Sequence, residues 1–135
     1  SDNISYAQHL AKLLCNKTFR PYISEDIIGL EIGGAAKNVM AIAAGIVDGL
    51  GYGANTRSAL ITRGLHEIAC LSDKMGGKKE TMMGLSGLGD LLLTCTDDQS
   101  RNRRMGLAIG SGKTIEQAEE EIQQVVEGVY AARQI

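Results

Sequence analysis

The longest apolar pattern in the chain runs from Ile27 to Leu50, where only Glu31, Lys37 and Asp48 carry a charge. This pattern predicts a long helix that is buried on nearly all sides. Small residues recur along it: Gly29, Gly33, Gly34, Ala35, Ala36, Ala41, Ala43, Ala44, Gly45 and Gly49. Each interior glycine costs about 1 kcal/mol relative to alanine, so close approach by another helix or by a ligand must offset that cost.

Shorter patterns with helical spacing follow, separated by glycine and polar segments. They predict helices over 57–75, 80–83, 90–95, 101–109, 114–125 and 127–135. Asn55 or Thr56, and Ser100, are placed to cap two of them, and Thr114 with Gln117 has the form of a capping box. The region from residue 24 to residue 135 is therefore predicted to be one all-α domain.

The first 23 residues have a different character. Residues 5–14 have helical apolar spacing, and residues 19–23 form a short extended segment that holds the only proline. A helix and one strand cannot form a sheet alone. We therefore expect residues 1–23 to be the remnant of an α/β domain that continues beyond this sequence.

Composition and charge exclude several classes of function. The formal net charge is -2, which gives no global reason to expect nucleic acid or an anionic membrane as a partner. Cys15, Cys70 and Cys95 are odd in number and widely spaced, so the sequence indicates neither a disulfide framework nor a metal site. We expect a cytoplasmic protein without a membrane span.

Lys37 is the first candidate for chemistry, because it is the only cation between Arg20 and Arg57 and lies inside the apolar helix. A dry environment disfavours an ammonium group, so Lys37 could act as a general base, or its side chain could extend to the surface. Spacing places Gly33, Ala41 and Asp48 on the same helical face. Asn38 could reach the same cavity or satisfy a neighbouring carbonyl.

The run from Gly84 to Asp90, GLSGLGD, superficially matches a dinucleotide-binding loop. No hydrophobic strand precedes it, so we discount that interpretation. A flexible glycine connection that aims Asp90 from the start of a helix is the alternative, and a simple capping role for Asp90 also stays open.

The segment from Ser100 to Arg104, SRNRR, places a hydroxyl group, guanidinium groups and free backbone N–H groups at a predicted helix N-terminus. Such a terminus binds anions, and the arginine fork matches phosphate oxygens. Basic residues there oppose the helix dipole unless an anion is present. The segment predicts a phosphate-monoester site, with a solvated charge run as the alternative.

Several motifs in order resemble the NAD(P)-dependent glycerol-3-phosphate dehydrogenase family of bacterial type. They are GGAAKNV at 33–39, AAGIVDGLG at 43–51, ALITRGL at 59–65, GLGDL at 87–91, TCT at 94–96, SRNRR at 100–104 and QVVEG at 124–128. The resemblance covers residues 24–128. It implies the multi-helix C-terminal substrate domain of that family, of the 6-phosphogluconate dehydrogenase C-terminal-like kind, and makes residues 1–23 a remnant of its nucleotide-binding domain.

The resemblance also implies roles for residues. Lys37 takes the proton-acceptor position, and Asp90, Ser100, Arg101 and Asn102 contact the substrate. Arg101, Val125 and Glu127 reach NAD or NADP, with Asn38 and Thr94 in supporting positions. The implied reaction interconverts dihydroxyacetone phosphate and glycerol 3-phosphate for phospholipid synthesis, with a homodimer as a further expectation.

The sequence departs from that family in lacking the glycine-rich nucleotide-binding domain and a second substrate lysine. We therefore expect the chain alone to have no turnover. Two alternatives stay open: the C-terminal domain of a related hydroxyacid dehydrogenase, and a helical oligomerisation module. The adjacency of Lys37 and Asn38 argues against the first, and a cleft that gathers Lys37, Asp90 and Arg101 would argue against the second.

Overall fold

Helices provide all the regular secondary structure in the computed structural model, which describes residues 3–134. The all-α prediction for the main domain is therefore confirmed. The helices are α1 (Ile4–Leu14), α2 (Ile27–Gly49), α3 (Ala54–Lys74), α4 (Lys79–Met82), a π-helix (Leu85–Gly89), α5 (Asp90–Thr96), α6 (Arg101–Gly110), α7 (Ile115–Ile122) and α8 (Glu127–Ala132).

The long apolar helix α2 lies at the centre of the bundle and contacts α3, α5, α6 and α8. By length and composition alone it could cross a membrane. Helix α2 contributes residues to the first of two apolar clusters, and its Ile42 packs against the second. The first comprises Ala36, Ala41, Ala44, Ile61, Ile68, Met82, Leu91 and Cys95. The second comprises Met105, Ala118, Ile122, Val126 and Val129. The small residues of α2 let both clusters pack closely against it.

Asp26 fixes the start of α2. Its carboxylate accepts a hydrogen bond from the backbone N–H of Gly29 at 2.9 Å, which caps the helix. The same side chain accepts from the Thr81 hydroxyl at 2.5 Å and from the backbone N–H of Lys78 at 2.9 Å. The hydrogen bond from Thr81, followed by those from Gly29 and Lys78, lowers the pKa of Asp26 despite its burial. One buried carboxylate therefore ties α2 to α4.

The glycines of α2 and α6 allow the two backbones to touch. A Cβ atom on Gly45 would lie 2.2 Å from the Arg103 carbonyl oxygen, and one on Gly106 would lie 2.0 Å from the Ile42 carbonyl oxygen. Gly49 and Gly110 repeat this contact one turn further along. The offsetting gain expected for the interior glycines is thus a helix–helix approach that a methyl group would prevent.

The structure corrects the prediction for residues 19–23, which contain no strand. A strand needs a neighbour to pair with, and residues 3–134 provide none for this segment. The helix predicted at 5–14 is present as α1, but none of its residues is buried. Its apolar side chains Tyr6, Leu10, Leu13 and Leu14 are exposed.

Two helix ends also differ from the predictions. Helix α3 begins after Gly53 without a side-chain cap, so neither Asn55 nor Thr56 caps it. Helix α7 has the predicted capping box but ends at Ile122 rather than at Val125. Gln123 adopts a left-handed conformation with φ of 53°, and the chain turns there and buries Val126. Helix α7 ends before Val125 because burial of the Val126 side chain is favoured over further backbone hydrogen bonds in the helix.

The Gly106→Ala variant should test the contact between α2 and α6. The added methyl group would overlap the Ile42 carbonyl, so we expect the free energy of unfolding to fall by about 2–3 kcal/mol in urea titrations followed by circular dichroism. Gly34→Ala is the matched control, because nothing lies within 4 Å of its added Cβ atom. That variant should be neutral or more stable by up to about 1 kcal/mol. Equal losses in both variants would contradict the packing role.

Candidate active site

Lys37 and Asp90 form the centre of the candidate site. The Lys37 Nζ atom, from the middle of α2, donates to the Asp90 Oδ2 atom at the start of α5. The two side chains are 22% and 37% exposed, so the amine lies at a partly dry surface rather than fully in solvent. The Thr94 hydroxyl donates to the Asp90 carbonyl oxygen at 2.6 Å and lies 3.3 Å from its Oδ1 atom. Lys37, Asp90 and Thr94 thus form a connected polar chain.

The glycine run before Asp90 is helical, which corrects the prediction of a flexible connection. Residues Leu85–Gly89 form a π-helix that continues directly into α5. A Cβ atom on Gly87 would lie 2.2 Å from the Met82 carbonyl oxygen, so the glycine is needed for close approach. The interpretation that this run is not a nucleotide loop agrees with the structure, since a helix and not a strand precedes it. Gly89 takes the N-cap position, so Asp90 is not a cap and its carboxylate is directed to Lys37.

A cleft of about 510 Å³ opens beside Lys37. It is lined by Lys37, Asn38, Leu93, Thr94, Asp97, Gln99, Ser100, Arg101, Asn102 and Glu127. The structure therefore brings together, in one cleft, seven of the nine residues to which the family resemblance gives a role. The exceptions are Asp90, which contacts the cleft residue Lys37, and Val125, which is 63% exposed.

The N-terminus of α6 forms one wall of this cleft. The Ser100 hydroxyl oxygen accepts from the Arg103 N–H at 3.3 Å, so Ser100 is the helix cap, as predicted. The backbone N–H groups of Arg101 and Asn102 belong to the first turn and have no intrahelical partner. Asn102 is buried, and its Oδ1 atom accepts from the Gly128 N–H at 2.8 Å. This terminus presents positive charge to the cleft.

Arg103 and Asp48 do not belong to the cleft. Arg103 pairs with Asp48 at 2.5 Å and with Asp98 at 2.9 Å, and Arg57 reaches Asp48 at 2.6 Å. Asp48 does share a helical face with Lys37, but the two lie eleven positions apart, which is roughly 16 Å along the axis. Asp48 therefore joins α2 to α3 and α6 in a structural ion cluster.

Opposing effects act on the pKa of Asp48. Burial is the largest and raises it, but hydrogen bonds and charge from Arg103 and Arg57 outweigh burial and leave the pKa below its ordinary value. Burial also raises the pKa of Cys95 to about 11, so that thiol stays protonated and belongs to the core. Among residues 3–134, no three His, Cys, Asp or Glu side chains are grouped to hold a metal ion.

In the sequence, only the family resemblance indicated a role for Glu127. Its carboxylate accepts from the Arg101 Nη2 atom at 3.0 Å, across the mouth of the cleft. Physical reasoning on the sequence missed this pair because 26 positions separate its members. The QVVEG motif at 124–128 was the signal that pointed to Glu127.

The fold and the cleft define an all-α domain with a lysine–carboxylate pair beside the N-terminus of a helix. Such an arrangement can hold a small anionic ligand next to a group that can transfer a proton. A module built only for helix packing would not require these polar groups to meet. The gathering of Lys37, Asp90 and Arg101 therefore argues against the oligomerisation alternative.

Comparison with known proteins identifies the family. Residues 26–135 match the family described as the C-terminus of NAD-dependent glycerol-3-phosphate dehydrogenase. The glycerol-3-phosphate dehydrogenase [NAD(P)+] of Pseudoalteromonas translucida is 57% identical over an alignment of 136 positions, covering 100% of this chain and 41% of that protein. The enzyme of the same name from Nitrosococcus oceani is 63% identical over 123 residues, covering 91% of this chain and 36% of that protein.

Solved structures agree with this assignment. The crystal structure of glycerol-3-phosphate dehydrogenase from Coxiella burnetii superposes with a TM-score of 0.95 at 51% identity, covering 98% of this chain and 41% of that one. The Saccharomyces cerevisiae enzyme gives a TM-score of 0.86 at 30% identity, covering 94% of this chain and 37% of that one. The chain belongs to the C-terminal domain family of NAD-dependent glycerol-3-phosphate dehydrogenase. It spans about two fifths of the length of these relatives.

The Asp48→Asn variant should separate the structural ion cluster from the cleft. Because it leaves Arg103 buried with a weakened partner, we expect the free energy of unfolding at pH 7 to fall by about 2–4 kcal/mol. The lowered pKa of Asp48 means that its stabilisation is present above its ordinary value of 3.8 and is lost as the pH falls through the folded-state pKa. Urea titrations from pH 7 to pH 3 should therefore show a smaller loss for the variant than for the parent. Parallel pH curves would contradict this role.

Proposed function

We propose that this chain is the catalytic domain of an NAD(P)-dependent glycerol-3-phosphate dehydrogenase. Joined to a nucleotide-binding domain, it would interconvert dihydroxyacetone phosphate and sn-glycerol 3-phosphate, the precursor of phospholipids. The observation that supports this proposal is the single cleft that holds Lys37 beside the α6 terminus. A proton-transferring group and a phosphate-binding group at one site match the two needs of this substrate pair.

Lys37 is the proposed base. In the oxidative direction its neutral amine takes the proton from the C2 hydroxyl group, so an O–H bond breaks and an N–H bond forms. In the reductive direction the ammonium group returns that proton to the C2 oxygen. The Asp90 carboxylate holds the Nζ atom in place, and Thr94 in turn holds Asp90. The polar chain thus orients the amine before the substrate arrives.

Ser100, Arg101 and Asn102 are the proposed phosphate-binding residues. The free N–H groups of the first turn of α6 and the Arg101 guanidinium group match the oxygens of a phosphate dianion. Asn102 lines the cleft, and its carbonyl oxygen is already used by Gly128, so its amide NH₂ group is the part that can donate to a ligand. Held by its phosphate, the substrate presents C2 to Lys37 in a fixed orientation.

NAD or NADP would lie beside the same cleft. When bound, it would supply a nicotinamide ring as the acceptor and donor of the hydride at C2. Arg101, Val125 and Glu127 are the residues proposed to face it, and the first and last of these lie at the mouth of the cleft. The described residues contain no strand–loop–helix site for the dinucleotide phosphates, so this chain supplies only the nicotinamide-facing edge. The relatives' greater length is consistent with a separate nucleotide-binding domain.

The domain boundary and partners are part of the proposal. Residues 1–23 would belong to the nucleotide-binding domain, with 24–135 as the substrate domain, and the exposed apolar side of α1 supports this division. A cytoplasmic location is supported by three free cysteines. A homodimer is supported by an apolar groove of about 340 Å³ between α2 and α3 and is checked by sedimentation of the full-length protein.

The chain on its own should not turn over substrate. It holds the proposed base and phosphate site but not the dinucleotide-binding domain, so we expect no NADH oxidation with dihydroxyacetone phosphate above background and weak or no NAD(P)H binding. Absorbance at the NADH maximum measures turnover, with the full-length protein as the positive control. Turnover by the isolated chain would overturn the division of roles.

Substitutions in the full-length protein should separate the base from the phosphate site. Loss of a general base predicts that Lys37→Ala lowers kcat by about 10²–10⁴-fold. Loss of a charged hydrogen bond predicts that Arg101→Ala raises KM for dihydroxyacetone phosphate roughly ten- to a hundredfold. Steady-state kinetics measure both.

Matched controls come from exposed residues of the same charge outside the cleft. Lys74→Ala on α3 and Arg104→Ala on α6 remove exposed cations that line no part of the cleft. Both should leave kcat and KM within about twofold of the parent. Full kcat in Lys37→Ala would exclude Lys37 as the base, and parental constants in Arg101→Ala would exclude the phosphate site.

A further inference from the structure

Two neighbouring contacts join the start of α6 to the start of α8. The Arg101 guanidinium group donates to the Glu127 carboxylate at 3.0 Å, and the next residue in each helix forms the second contact, from the Gly128 N–H to the Asn102 Oδ1 atom at 2.8 Å. Asn102 and Gly128 are buried, whereas the side chains of Arg101 and Glu127 are 39% and 51% exposed. A buried hydrogen bond therefore lies directly behind an ion pair at the mouth of the cleft.

The buried contact fixes the place of Glu127. A Cβ atom on Gly128 would lie 2.6 Å from the Asn102 Oδ1 atom and 2.7 Å from the Asn38 carbonyl oxygen. The backbone at residue 128 thus lies between α2 and α6, with space for a hydrogen atom but not for a methyl group at its Cα atom. Because Glu127 precedes this fixed point, its carboxylate can reach only a small region, and that region contains the Arg101 guanidinium group.

Arg101 needs a fixed partner such as Glu127 if it is to bind the phosphate of the substrate in one orientation. An arginine side chain on an open cleft wall samples many rotamers, and fixing it in one of them costs conformational entropy. The pair with Glu127 uses the Nη2 atom, while the remaining N–H donors of the fork stay available for a ligand. A carboxylate that holds one edge of a guanidinium group can therefore direct the other edge toward a phosphate.

We propose that Glu127 is a positioning residue that aims the Arg101 guanidinium group at the phosphate of the substrate. This inference rests on the proposed function. It adds to the role that the family resemblance implies for Glu127, which is contact with the nicotinamide cofactor. Positioning must also outweigh repulsion between the carboxylate and the phosphate dianion, and water at this exposed pair screens that repulsion.

The test uses the full-length protein with Glu127→Ala and Glu127→Gln. Kinetics would measure kcat, KM for dihydroxyacetone phosphate, KM for NADH, and Ki for inorganic phosphate as a competitor of the phosphorylated substrate. For an exposed ion pair, we expect Glu127→Ala to raise KM for dihydroxyacetone phosphate and Ki for phosphate by roughly three- to tenfold. Inhibition by phosphate is measured at saturating NADH, because Glu127 is also proposed to face the nicotinamide and KM for NADH in Glu127→Ala reports that separate contact.

Glu127→Gln tests whether the effect is positional. Its side-chain oxygen can still accept a hydrogen bond from Arg101 without a negative charge, so it should recover most of the phosphate affinity. Glu120→Ala, on the exposed surface of α7, is the matched control and should behave as the parent. Because the glutamine is nearly isosteric and exposed, it also keeps the test valid if the alanine variant folds poorly.

Two outcomes would overturn the proposal. A lower Ki for phosphate in Glu127→Ala would show that the carboxylate competes with the anion. An unchanged Ki for phosphate, whatever the change in KM for NADH, would show that the pair does not position Arg101. Failure of the proposed function is seen separately, as a parent protein without dehydrogenase activity or as parental kinetics in Arg101→Ala.

Discussion

The direct contact between the backbones of α2 and α6 is the constraint on which the site depends. Gly45 and Gly49 face Gly106 and Gly110 with no room for a methyl group, so the two helices have one register and one separation. Lys37 lies two turns before this contact on α2, and Arg101 lies little more than one turn before it on α6. The distance between the proposed base and the phosphate-binding terminus is therefore set by two rigid helices.

Charged side chains on α6 serve two separate purposes because of helix geometry. Arg101 and Arg103 are two residues apart, which places them about 200° apart around the axis. Arg101 faces the cleft, whereas Arg103 turns inward to Asp48 and Asp98. The buried cluster fixes the helix and leaves the exposed arginine free to meet a ligand. A basic run that looks uniform in sequence is thus divided between a buried structural cluster and the wall of the cleft.

The sequence predicted features that local chemistry determines, and it failed where distant partners decide. The helices, the Ser100 cap and the need for close packing at the α2 glycines follow from spacing and composition, and they are confirmed. The predicted end of α7 was wrong because burial of Val126 determines where that helix ends. The glycine run before Asp90 is helical rather than flexible because Gly87 packs on Met82. The partners of Asp48 and Glu127 are remote in sequence, so spacing alone could not identify them.

Under the proposed function, hydride transfer has two geometrical requirements, which are the orientation of the substrate relative to Lys37 and the distance from C2 to the nicotinamide. This arrangement meets them separately. The base and the phosphate anchors sit on one helical bundle, so substrate orientation relative to Lys37 does not depend on any movement between domains. Only the distance from C2 to the nicotinamide would depend on how the second domain closes. The pair of Arg101 and Glu127 lies at the mouth of the cleft, where the two requirements meet. A positioning role there would let phosphate binding complete the site before the cofactor's ring and the substrate carbon come together.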